Sequence, residues 1–226
     1  MKPHNVTSVL LAGPRDSHKS SFLMQGAVKY AEGGQNVVYI TAFEFESLPP
    51  PLQGFPKPAP DIFALIKFLY LPNWKDLLQY VFHLHLHALV PTVLIIEALE
   101  HYCTNSDTEN SGSAAATAAS HAALICAALI DGVAVCAKRS KSPAHLIVSL
   151  NEQKSQNMFS PLIDIFFTDV VWLFQKDEDD GCNPASYSMT NLETTFSKAR
   201  QHKIFFKCET VDGNVVFSKV SFWENL

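Results

Sequence analysis

Val9-Leu10-Leu11-Ala12-Gly13-Pro14-Arg15-Asp16-Ser17-His18-Lys19-Ser20 runs from an apolar stretch through a glycine to a Lys-Ser pair. The pattern G-x-x-x-x-G-K-[ST], between a strand and a helix, is a loop whose backbone N–H groups cradle phosphates at the positive end of the helix. Gly13, Lys19 and Ser20 are in place, and His18 stands where the second glycine belongs. Lys19 offers a point charge to the terminal phosphates, and Ser20 a hydroxyl to Mg²⁺. The second glycine permits a backbone geometry that a Cβ resists. Histidine visits positive φ more readily than most residues. The expectation is therefore a weakened or reshaped site for ATP with Mg²⁺, formed by Gly13, Pro14, Arg15, Asp16, Ser17, His18, Lys19 and Ser20. The alternative is a plain strand–turn–helix whose Lys-Ser only starts a helix.

An acid after a buried strand would strengthen that reading. Val93-Leu94-Ile95-Ile96-Glu97 is such a strand, with Glu where Asp is usual. Glu97 would act with Ser20 on the Mg²⁺ side, although its extra methylene alters the geometry that Mg²⁺ demands. Its alternative role is to begin a helix, where acids are favoured.

Working outward, strand and helix patterns alternate as in a parallel-sheet α/β fold. Strands are expected at 6–12, 36–41, 66–71, 92–96, 145–150 and 168–174. Helices are expected at 20–32, ended by Gly33-Gly34, at 74–87, capped by Pro72-Asn73, and at 114–137, with a short one near 159–166. Segments 196–209 and 215–222 read as a closing hairpin turned at Asp212-Gly213-Asn214. The chain of 226 residues reads as one domain over 1–226, with flexible loops near 49–61, 103–113 and 175–194.

A net charge of −5 gives no overall pull toward nucleic acid or anionic lipid. Five cysteines without a C-x-x-C pair suit a reducing compartment. Met1-Lys2-Pro3-His4 leads into no signal-peptide h-region, so no secretory leader is expected. The apolar run 114–137 is Ala-rich and includes Asp131, so it reads as a buried helix and not a membrane span. His83 and His87 would share a helix face while His85 points away. No further ligand lies nearby, and no zinc or other structural metal is expected. Asn151 and Gln153, leaving a strand, could sense a terminal phosphate or be ordinary loop residues.

The order of these blocks resembles the RecA-type recombinases. More closely, it resembles the small paralogs that pair with a SWIM-type zinc-finger protein in the animal Shu complex. The blocks are Leu10–Ser20, Asn36–Thr41 leading into Ser47-Leu48-Pro49, Ile66–Pro72, Leu94–Tyr102 and the C-terminal hairpin. The resemblance implies a RecA-like P-loop core with a mainly parallel sheet, and a nuclear accessory role in homologous-recombination DNA repair. It implies as partners a SWIM-type protein, the strand-exchange recombinase and single-stranded DNA bound mainly by the complex, with no membrane and weak ATP hydrolysis at most. The zinc of such a complex would belong to the partner.

The family also places a catalytic Glu just after the second strand. Phe43 falls at that position, leaving Glu44 and Glu46 as the only catalytic candidates. The loops that contact DNA in the family correspond to 103–113 and the stretch after Leu150. The first has no Lys or Arg, and the second only Lys154, which is poor for phosphate binding. DNA-binding candidates are instead Lys138, Arg139 and Lys141, expected at the opposite edge of the sheet, and Lys198, Arg200 and Lys203. Phe196-Ser197-Lys198-Ala199 matches a short F-x-x-A docking pattern that chance also supplies. Two other readings stay open: a working, slow ATPase stimulated by DNA, and a P-loop NTPase or kinase unrelated to recombination. The second is disfavoured because the chain has only Arg15, Arg139 and Arg200 to stabilise phosphoryl transfer.

Overall fold

The computed structural model describes residues 5–55, 58–103, 114–151, 165–176, 186–192, 202–211 and 214–224. The strands are β1 (Val6–Gly13), β2 (Val37–Thr41), β3 (Ile66–Tyr70), β4 (Val93–Ile96), β5 (Ala144–Asn151), β6 (Val170–Lys176), β7 (Ser186–Leu192), β8 (His202–Val211) and β9 (Asn214–Glu224). The helices are α1 (Lys19–Glu32), α2 (Pro60–Ala64), α3 (Trp74–His83), α4 (Leu99–Cys103) and α5 (Ala114–Ser140). They form a nine-stranded sheet in the order β3-β2-β4-β5-β1-β6-β7-β8-β9. Neighbours from β3 to β6 are parallel, and those from β6 to β9 antiparallel.

The inner strands have near-continuous apolar runs because both faces are covered. All five residues of β2 and all four of β4 are buried. On one face, α1 sets Leu23, Met24, Ala27, Val28 and Ala31 against Leu11, Tyr39, Val93, Ile95 and Ile147. On the other, α3, α4 and α5 cover Leu10, Val38, Ile40, Leu94, Ile96 and Val148. The placement follows from crossover handedness. From β1 the chain crosses toward β2 and β3, and from β3 it turns back through β4 and β5. Right-handed connections in opposite directions put their helices on opposite faces.

Helix α5 is long and apolar enough to cross a membrane by length and composition. In this fold Ile125, Cys126, Leu129, Val133 and Cys136 bury one of its faces in the core. At Gly132 α5 lies against α3: a Cβ there would fall 2.7 Å from Val81 Cγ1.

Several expected boundaries shift. The helix foreseen over 74–87 ends at His83 and continues as a 3₁₀ turn, Leu84–Leu86. His87 therefore lies beyond the helix and shares no helical face with His83. Its start holds, with the Asn73 side chain accepting from the Asp76 N–H at 3.0 Å. The loop foreseen over 49–61 runs into α2 at Pro60, and within it Leu52 bridges to Val215 of β9. The loop foreseen over 175–194 contains β7, whose polar sequence Ser-Tyr-Ser-Met-Thr-Asn-Leu hides a strand paired along β6. The F-x-x-A segment and the 212–213 turn lie outside the described residues, as do most of the short helix foreseen near 159–166 and loop 103–113.

Candidate nucleotide and metal site

The connections of β1 and β5 leave in opposite directions, so the crevice of a switch point opens at their carboxyl ends. Gly13 and Asn151 are register partners there. Gly13 has φ +150°, and a Cβ on it would fall 2.5 Å from the Phe174 carbonyl oxygen of β6. Glycine is thus required by close strand approach as well as by conformation.

His18 adopts φ 57°, ψ 21°, the left-handed conformation expected of this position, and forms the N-cap of α1. Its ring meets Tyr187 of β7 edge-on at 6.3 Å between centroids. Burial lowers the His18 pKa, partly opposed by Asp16. Arg15 and Asp16 are exposed, while Ser17 is buried. Lys19 is 2% exposed. Its ammonium donates to the carbonyls of Gly13 (3.0 Å) and Pro14 and to Ser17 Oγ (3.0 Å). The loop is therefore wrapped around a buried cation, beside N–H groups at a helix N-terminus that also favour an anion.

Ser20 and Glu97 are 77 positions apart, and the fold brings them into contact. Ser20 Oγ donates to Glu97 Oε1. Tyr39 donates its phenol to Glu97 Oε2 at 2.9 Å. Burial first, then the Glu97 charge and hydrogen bond, raises the Tyr39 pKa well above its ordinary value, so it stays a donor. The Glu97 N–H donates to Ile40 O at 2.9 Å, extending the β2–β4 ladder. Helix α4 begins at Leu99, so Glu97 is a strand-end acid and does not start a helix. Between them, Ala98 has φ 55°, and its N–H donates to Ser149 Oγ at 2.9 Å. That strained link turns the chain sharply just after Glu97.

A hydroxyl and a carboxylate side by side are hard oxygen donors and fit Mg²⁺. Gly13, Ser17, Lys19, Ser20 and Glu97 converge on this crevice. Glu44 and Glu46 are exposed after β2, and Phe43 beside them is 67% exposed with its ring 5.0 Å from that of His101. Asn151 is held by Glu100: its N–H donates to Oε2 at 3.0 Å and Nδ2 to Oε1 at 2.6 Å. Gln153 lies outside the described residues. Lys138, Arg139 and Lys141 are exposed where α5 returns to β5, at the edge opposite the crevice. Lys203 lies on β8, and Lys198 and Arg200 fall outside the described residues. Among the described residues, no group of three or more His, Cys, Asp or Glu could hold a metal ion.

Sequence reasoning passed over Tyr39 and Glu100. Tyr39 carried a signal, because a phenol in the middle of a fully buried strand needs a partner. Glu100 carried none, since its partner lies 51 positions away.

No family model and no curated protein matches the chain. Solved structures do. A KaiC-like protein from the hyperthermophilic archaeon Pyrococcus horikoshii OT3 aligns with TM-score 0.60 at 15% identity, over 94% of this chain and 89% of that one. The flagellar accessory protein FlaH from Methanocaldococcus jannaschii aligns with TM-score 0.56 at 11% identity, over 96% and 91%. At such identities the likeness speaks to architecture. The chain has a RecA-like α/β fold, with a mostly parallel central sheet and antiparallel strands at its carboxyl end.

Proposed function

We propose that the chain is a nucleotide-binding, weakly or non-hydrolysing accessory factor of homologous-recombination DNA repair in the nucleus. It pairs with a SWIM-type zinc-finger protein, binds single-stranded DNA mainly as that complex, and supports the strand-exchange recombinase. The observation that carries the nucleotide part is the convergence of Lys19, Ser20 and Glu97 at the carboxyl edge of the sheet. Residues 13–20 would hold the phosphates of ATP, and Ser20 and Glu97 would stand on the Mg²⁺ side. Mg²⁺ would neutralise phosphate charge there. Weak turnover follows from the surroundings of the base position, where Phe43 stands and the Glu44 and Glu46 that follow it are exposed. The recombination part rests on the sequence resemblance, to which the RecA-like fold gives general support. Lys138, Arg139 and Lys141 supply a local cationic patch on an acidic chain, suited to a phosphate backbone.

The test is Mg-ATP binding and turnover by the purified chain, alone and with the SWIM-type protein, with and without single-stranded DNA. Lys19→Ala should weaken nucleotide binding by about tenfold or more, the effect of losing a charge-assisted contact of about 1.5–3 kcal/mol. Equal binding by wild type and Lys19→Ala would sink the nucleotide reading. Failure of the two proteins to co-purify would sink the pairing.

A further inference from the structure

We infer that Tyr39 is a positioning residue for the Mg²⁺ side of the site, holding the longer Glu97 side chain where an Asp commonly stands. This rests on the nucleotide reading above.

The placement begins with strand periodicity. Side chains two apart on a strand share a face. Tyr39 and Ile95 are register partners on β2 and β4, and both belong to the core on the α1 side. Glu97 lies two residues beyond Ile95, so its carboxylate returns diagonally toward Tyr39 on that face, within the reach of long side chains. Ser20, in the first turn of α1, approaches from above the same face.

The tyrosine is itself immobilised. It is fully buried, and its ring packs against Phe68 at 5.5 Å and Phe45 at 5.8 Å between centroids. Those rings hold the phenol oxygen at 2.9 Å from Glu97 Oε2. With Oε2 engaged by Tyr39, Oε1 is the oxygen presented beside the Ser20 hydroxyl. A flexible two-methylene carboxylate is thereby restricted to one orientation. The extra methylene of Glu97 is matched by a donor one strand away. An Asp at position 97 would be too short to keep both contacts. Partners that orient a metal-side ligand typically change metal affinity by about 10–100-fold when removed.

The experiment measures binding of a fluorescent ATP analogue to the full chain without divalent cation, then titrates Mg²⁺. Tyr39→Phe should keep the Mg²⁺-free affinity within about twofold and raise the Mg²⁺ half-saturation by about tenfold. Glu97→Asp should weaken the Mg²⁺ response likewise, and adding Tyr39→Phe to it should change little further. An unchanged Mg²⁺ half-saturation in Tyr39→Phe would overturn the inference alone. So would an equal loss with and without Mg²⁺, which marks a structural role. Wild-type protein showing no analogue binding that Lys19→Ala removes would overturn the nucleotide reading and this inference with it.

Discussion

At the scale of single residues, the crevice is built from conformations that side chains resist. His18 and Ala98 both lie in the left-handed region, at φ 57° and 55°. Histidine tolerates it better than most residues and alanine poorly. Ala98 thus carries strain that positions Glu97. Ala98→Gly should raise stability by about 0.5–1 kcal/mol, because glycine relieves the strain at some cost in unfolded-state entropy. The thermal midpoint should rise by about 1–4 °C. Scanning calorimetry checks this, and a lowered midpoint would refute strain at that position. The residues of the loop were legible in the sequence because their order is local. The Tyr39–Glu97 and Glu100–Asn151 contacts were not, because they join residues 58 and 51 positions apart.

At the scale of elements, close approach decides what composition leaves open. Gly132 in α5 lets α3 come near enough that Val81 Cγ1 would be 2.7 Å, and the Val81 carbonyl oxygen 3.3 Å, from an added Cβ. Alanine is the better helix former by about 1 kcal/mol. Overpacking costs about 1–3 kcal/mol, and a backbone oxygen yields little. Gly132→Ala should therefore destabilise by about 1–2 kcal/mol net. Urea denaturation should show the lower midpoint, with much of the loss recovered in the double variant with Val81→Ala. Element boundaries were read well where period and cap agreed, as at Asn73 and Gly33. They failed at β7, where only Tyr187 and Met189 mark a short alternation among polar residues and pairing with β6 makes the strand. They also failed at residues 84–87, where the helix tightens into a 3₁₀ turn that periodicity does not announce.

At the scale of the whole molecule, one continuous sheet joins the loop at 13–20, through β6 and β7, to the carboxyl-terminal strands. Tyr187 of β7 and Val215 of β9 are buried in the same core as α1. Folding should also carry a histidine signature. Burial lowers the pKa of both His18 and His145. Among the described residues His145 Nδ1 is buried without a hydrogen-bond partner, and its ring lies 4.9 Å from that of Tyr30. Below about pH 6.5 the unfolded chain takes up protons that the folded chain refuses, so stability falls as pH drops toward the lowered folded values. Between about pH 7.5 and pH 5.5, His145→Phe should lose less stability than wild type. Denaturation midpoints measured across that range would refute the role if the two slopes were equal. The sequence by itself determined the strand–loop–helix around residues 13–20, the parallel α/β alternation and the acid after the fourth strand. Each of these is written in local order, glycine chemistry or apolar period. Only the tertiary structure decided that Tyr39 joins Ser20 and Glu97, that Glu44 and Glu46 face solvent, and that a polar segment becomes β7. Those outcomes depend on strand order and register, which bring together residues that no local pattern links.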